Sequence, residues 1–236
     1  CSRVDDRGRE KSSTRYSRSG RSRSRCGSSI RCSSIRKGYV FMSEHRSALA
    51  AVWATGRHGS PGTGTARVSF AVLDQLSVVQ VAAFDDAAAV AAIRDACGAL
   101  PPASCNATTL HGDIRMFGVG PGRWLLVAPA SQDLPARLVG PVPAEVAAIT
   151  DLSHGRSVVR VSGLDTRRLL AKMCLLDLDS RVFTPGRCAQ TLFGQAGVLL
   201  EAVSDEVIDV FFSRSYAVSG WEMLADAAAE YGYSVV

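Results

Sequence analysis

The stretch SVVRVSGLDTRRLLAKMC, residues 157–174, passes from one periodicity to another and sets the fold. Residues 157–161 are rich in Val and read as a strand. Gly163-Leu164-Asp165 then stand where a helix cap belongs, and Leu169, Leu170, Met173 and Cys174 fall on one helical face. Downstream, 189–193, 198–203 and 207–212 read as an antiparallel meander with Ser204-Asp205-Glu206 as a turn. A helix follows with Val218, Trp221, Leu224, Ala225 and Ala228 on one stripe and Gly232 at its end. Upstream the same order recurs. Residues 76–84 read as a strand, Asp85 as an N-cap, and Val90, Ile93 and Cys97 as the buried side of a helix. Leu110, Ile114 and Met116 alternate with His111, Asp113 and Arg115 as in a half-buried strand. A turn over 118–123, a strand over 124–128 and a short helix over 132–138 complete that half. The expected class is α+β, two ferredoxin-like β-α-β-β-α half-units whose sheets each bury one face under helices.

Outside these halves the composition changes. Of 236 residues, 47% are hydrophobic and 21% charged, the make-up of a globular chain with a sizeable core. The longest apolar runs fall far short of the roughly 20 residues that cross a bilayer, so no membrane span is expected. Formal net charge is +5, yet residues 1–41 hold 12 of the 27 basic and 3 of the 22 acidic residues, leaving the body with 15 and 19. The body is acidic, which argues against a nucleic-acid partner there. Residues 1–41 form a Ser/Arg low-complexity leader with too few apolar residues to offset the entropy of ordering. That leader is expected to be disordered. It is also expected not to be native protein, because Met42 is the first methionine and the sequence changes character within a few residues of it; the competing reading is an RNA-binding arm of Arg-Ser dipeptides. Residues 42–66 read as a flexible linker, leaving a domain over 67–236 with halves of about 67–147 and 148–236. Arg outnumbers Lys 24 to 3 and Asn occurs once, a bias of GC-rich bacterial genomes. The amino end lacks the apolar stretch of a secretory signal and no C-x-x-C occurs, so a cytoplasmic location with free thiols is expected.

The chemistry-bearing motifs carry little. Gly118-Val119-Gly120-Pro121-Gly122 leads into a strand, whereas a phosphate loop must lead into a helix, and Pro121 removes an amide; a hairpin turn fits better. Asp151, Ser153 and His154 are sequence neighbours, which triad members have no reason to be, and G-x-S-x-G is absent. The four histidines show no metal-ligand spacing. Cys174 and Cys188 lie in patterned segments and read as buried thiols. No catalytic, cofactor-binding or metal-ligating residue emerges, a pattern better suited to a subunit or binding module than to a self-sufficient enzyme.

Several separate pieces then agree with one family. Ser153-His154-Gly155-Arg156, Val161-Ser162-Gly163, Leu170-Ala171-Lys172, Leu176-Asp177-Leu178, Pro185-Gly186-Arg187-Cys188-Ala189-Gln190-Thr191 and Arg214-Ser215-Tyr216-Ala217 resemble, in order and spacing, the gamma subunit of bacterial heterotetrameric sarcosine oxidase. Leu100-Pro101 and the Gly-Pro-x-Arg-Trp-Leu segment over 120–125 extend the likeness to most of 68–232. Leu164 and Met173-Cys174-Leu175 depart from the family pattern conservatively. The resemblance implies the fold of the folate-binding domain of the glycine cleavage T protein. It also implies an accessory role beside alpha, beta and delta subunits, chiefly alpha. The complex would carry FAD, FMN and NAD and use tetrahydrofolate in the oxidative demethylation of sarcosine to glycine, while this chain itself would bind no cofactor. Asp151, His154, Arg156, Arg187 and Gln190, the polar groups of the best-matching segments, have two readings: contacts on a docking surface, or caps and pairs inside the fold. The alternative function is a stand-alone folate- or one-carbon-binding protein of the same fold.

Overall fold

The computed structural model describes residues 46–59 and 66–236. The expected leader over 1–41 and the Gly/Ser-rich middle of the expected linker lie outside the described residues. In chain order the elements are β1 (Gly56–His58), β2 (Val68–Leu73), β3 (Leu76–Ala83), α1 (Asp86–Cys97), β4 (Thr108–His111), β5 (Ile114–Gly120), β6 (Arg123–Pro129), α2 (Leu134–Val139) and β7 (Ala147–Asp151). They continue as β8 (Arg156–Ser162), α3 (Thr166–Ala171), β9 (Cys188–Phe193), β10 (Ala196–Ala202), β11 (Val207–Ser213), α4 (Ala217–Ala228) and β12 (Tyr233–Val235). From β3 onward the plan β-α-β-β-β-α-β occurs twice. The α+β class and the repetition are as the periodicity predicts, and each half carries two more strands than that reading.

One sheet has the order β4-β5-β6-β3-β7 and the other β1-β12-β2-β8-β11-β10-β9. Corresponding strands occupy corresponding places, except that β2 inserts between β8 and β12. α1 shows why the local reading works. Its N-cap Asp85 accepts a hydrogen bond from the Ala88 amide at 3.1 Å, and Gly98, with φ +79°, ends the helix by donating its N–H to the Arg94 carbonyl. Ala89, Ile93, Ala96 and Cys97 form its buried side.

The structure departs from two expectations. The single strand read over 110–116 is a hairpin, because His111 pairs directly with Ile114 across a turn in which Gly112 takes φ +56°. A two-residue turn reverses the parity, so Leu110 shares a face with Arg115 and is exposed while Ile114 and Met116 are buried; the alternation in the sequence runs across the turn without marking it. The stretch 46–59, expected to be linker, is built into the fold. Leu49 is fully buried, the Trp53 ring lies 4.4 Å from that of Trp221, and β1 pairs with β12. Residues 48–54, ALAAVWA, are a continuous apolar run, and Leu49, Val52 and Trp53 dock it on the core.

Three cores result. Helices α1 and α2 cover the outer face of the five-stranded sheet through Val79, Ile93, Met116, Leu126 and Leu134, among others. Helices α3 and α4 cover the outer face of the seven-stranded sheet through Phe70, Val159, Leu169, Phe212 and Trp221. A third cluster lies between the sheets.

Candidate functional site

The layer between the sheets follows from strand parity, since successive side chains point to opposite faces. In β8, Val159 and Val161 face the helices, so Arg156, Val158 and Arg160 face the other sheet. In β11 the inward set is Asp209, Phe211 and Ser213, and in β10 it is Gly197, Leu199 and Glu201. From the five-stranded sheet come Arg115, Phe117 and Val119 of β5, Leu125 and Val127 of β6, and Val78 and Gln80 of β3. Along the strands the layer has three zones.

The middle is apolar. Val78, Phe117, Leu125, Val127, Val158, Leu199 and Phe211 pack together with the Cys188 thiol, and the rings of Phe117 and Phe211 meet edge-on at 5.4 Å. Burial pushes the Cys188 thiol up to about 11, so it is protonated at neutral pH.

One end holds an ion cluster that joins the sheets. Arg115 Nη1 donates to Glu201 Oε2 at 2.5 Å and to Asp209 Oδ2 at 2.7 Å, while Arg160 donates through Nε and Nη2 to the two Asp209 oxygens at 2.7 and 2.9 Å. The Arg115 guanidinium also lies over the Phe117 and Phe211 rings. Asp209 is fully buried and Glu201 is 4% exposed. Burial pushes the Glu201 carboxyl up to about 7, with the Asp209 charge adding to the rise and Arg115 opposing it. The sequence reading missed these four residues. Their signal is one charge inside an otherwise apolar strand run, as in VVRVS, VLLEA and VIDVFF.

The other end is open. A cavity of about 470 Å³ is lined by Arg156, Ser213, Gln190, Gln80 and an apolar floor that includes Leu125, Leu199 and Phe211. Arg156 Nη1 donates to Ser213 Oγ at 3.3 Å, and its buried Nε has no partner in the structure. Burial alone lowers the Arg156 pKa from its ordinary value. Gln190 Nε2 donates to the Val119 carbonyl at 3.2 Å and so ties β9 to β5 at the rim.

Of the five polar residues singled out in the sequence, the structure brings Arg156 and Gln190 together in this cavity. Asp151 caps the link between the sheets: its Oδ1 accepts from Ser153 N at 2.9 Å and Ser153 Oγ at 2.6 Å, and that hydroxyl accepts from Val78 N. His154 is exposed in the same turn, and Arg187 is exposed at the other end of the strands. Gly118 to Gly122 form a bulge and hairpin turn leading into β6, as read. Among the described residues no group of three or more His, Cys, Asp or Glu is placed to hold a metal, and no helix is long and apolar enough to cross a membrane.

Two facing sheets with helices outside are a fold shared with aminomethyltransferase T. The structure of that protein of the glycine cleavage system from Bartonella henselae matches with a TM-score of 0.55 and 14% identity over 72% of this chain and 48% of that one, a likeness of fold. More narrowly, the model of the sarcosine oxidase, gamma subunit family matches residues 81–230, and the chain belongs to that family. Sarcosine oxidase subunit gamma of Corynebacterium sp. (strain P-1) is 30% identical over 113 residues, 48% of this chain and 56% of that one. Its counterpart from Arthrobacter sp. is 31% identical over 121 residues, 50% and 58%. The match thus spans little more than half the length of these relatives. A chain of heterotetrameric sarcosine oxidase from Corynebacterium sp. U-96 superposes with a TM-score of 0.71 at 25% identity, over 79% of this chain and 95% of that one.

Proposed function

We propose that this chain is the gamma, accessory subunit of a heterotetrameric sarcosine oxidase, an oxidoreductase complex that demethylates sarcosine to glycine with O2 and tetrahydrofolate. The observation that carries the reading is the superposition on nearly the whole of a chain from such a complex. In this reading FAD, FMN, NAD and tetrahydrofolate are held by the alpha, beta and delta partners, chiefly alpha docks on this chain, and the assembly is cytoplasmic. Two observations support a partner-bound existence. Leu164, Leu175 and Val182, on the segment around α3, expose most of their apolar side chains, a surface that another chain would cover. Asp151, His154 and Arg187 are exposed, where they would serve as contacts of a polar rim.

The test is co-expression of the tagged chain with its alpha, beta and delta partners, followed by size exclusion and a visible spectrum. Co-elution with yellow, flavin-bearing chains and sarcosine-dependent peroxide formation is the expected outcome. A colourless chain eluting alone refutes the proposal.

A further inference from the structure

We propose that the open end of the inter-sheet layer is a binding site for a small organic carboxylate, whose acid group pairs with the Arg156 guanidinium while its apolar body rests on Leu125, Leu199 and Phe211. Arg156 and Arg160 lie on the same face of β8, two side-chain steps apart. Across on β11, Arg160 is paired with Asp209 and Arg156 with Ser213. The first cation therefore has a carboxylate and the second has a hydroxyl at 3.3 Å and a buried Nε without a partner. Among the described residues the two other inter-sheet guanidinium groups, Arg115 and Arg160, both hold carboxylates.

A half-buried cation without an anion leaves desolvation unrelieved, and an arriving carboxylate relieves it through paired, charge-assisted hydrogen bonds. No acidic side chain lines the cavity, so nothing repels such a ligand. One guanidinium matches one negative charge, which favours a carboxylate over a phosphate dianion. Ser213, Thr191, Gln190 and Gln80 offer the remaining polar groups, and about 470 Å³ lies in the range of small-molecule sites. Free organic acids and acidic side chains of a neighbouring chain share this chemistry. The free acid is favoured because the cavity runs on over an apolar floor beyond the guanidinium, further than one side-chain carboxylate needs. The proposal concerns this chain by itself and stands apart from whether it assembles with an oxidase.

The experiment is calorimetric titration of the full chain with benzoate, its neutral isostere benzamide, and inorganic phosphate. Benzoate is expected to bind saturably, with benzamide and phosphate at least tenfold weaker. Arg156→Gln should lower benzoate affinity at least tenfold while circular dichroism stays unchanged. Gly197→Leu keeps Arg156 and grows into space where a Cβ meets nothing within 4 Å, so it should abolish binding by filling the cavity. Ser213→Asp supplies the missing carboxylate from within and should compete benzoate away. Absence of saturable benzoate heat, equal binding of benzamide, or unchanged affinity in folded Arg156→Gln overturns the proposal. Benzoate affinity retained in the assembled complex supports a free acid as ligand; affinity lost on assembly and regained on dissociation assigns the cavity to a partner's side chain and overturns it.

Discussion

Replacing Glu201 by Gln should make the protein more stable at pH 8 and flatten its pH dependence. Glu201 faces the inter-sheet layer at 4% exposure, and burial raises its carboxyl from the ordinary 4.5 to about 7. The folded chain then holds a proton up to about pH 7 that the unfolded chain releases near 4.5. Between those values the folded state binds more protons, so stability from this group is fully present below about pH 4.5 and is lost as pH rises through about 7. At about 1.36 kcal/mol per tenfold change, the difference amounts to about 3 kcal/mol by pH 8. Gln keeps the shape and accepts from Arg115 without a charge, and Arg115 retains Asp209 at 2.7 Å. Urea unfolding followed by tryptophan fluorescence at pH 5, 6, 7 and 8 measures the effect. The variant should exceed the parent by less than about 1 kcal/mol at pH 5 and by about 3 kcal/mol at pH 8. An offset that is constant across pH refutes the reasoning. So does a variant that is less stable at pH 8 by the roughly 3–5 kcal/mol that breaking an indispensable buried ion pair costs.

Two further substitutions test the packing. Leu49→Ala should cost about 2–5 kcal/mol, read as a lowered Tm, because the fully buried side chain leaves a cavity in the core under α4; a true linker residue would shift stability by no more than about 0.5 kcal/mol. Gly118→Ala should cost about 1–3 kcal/mol, since its Cβ would press on the Ser104 carbonyl oxygen, which is backbone and cannot rotate away, whereas Gly197→Ala, facing open space, should be near neutral in the same thermal melts.

The parts of the fold that were legible in the sequence are those governed by local rules. Asp85, Gly98 and the spacing of Ile93 and Cys97 define α1 with no help from distant residues. β9, β10, β11 and α4 follow from alternation, a turn and one apolar stripe in the same way. Short elements escaped because their signal is tertiary. β12 is three residues long and exists through its pairing with β1 and with β2, one strand antiparallel and the other parallel. β7 and residues 46–59 are likewise held by partners far away in sequence. The candidate site was half legible. Arg156 and Gln190 stood out through family likeness, yet nothing local reveals that residues 34 apart meet at one cavity. Arg160, Glu201 and Asp209 were overlooked because period-2 reading scores a lone charge in an apolar strand as noise, and Arg115 because it was read as an outward polar residue, although at an inward position each demands a partner.

Strand placement explains why the layer is closed at one end and open at the other. β2 belongs to the first half of the chain but pairs with β8 and β12 of the second, so the seven-stranded sheet, unlike the five-stranded one, is completed only when both halves are present. The inter-sheet face thus forms as a unit, and its inward residues are fixed by registers that cannot slip without turning the apolar set outward. Within those registers one choice recurs with opposite outcomes. At the 160–209 rung Asp stands opposite Arg, and a second Arg from β5 binds the same carboxylate, which ties the sheets together. At the 156–213 rung Ser stands opposite Arg, and β10 presents Gly197 where its neighbours on that face present Leu199 and Glu201. A missing acid and a missing side chain at neighbouring positions leave charge and space together. A fold selected only for packing would have filled the space or neutralised the charge, and the ion cluster at the far end shows that this scaffold accommodates the second remedy.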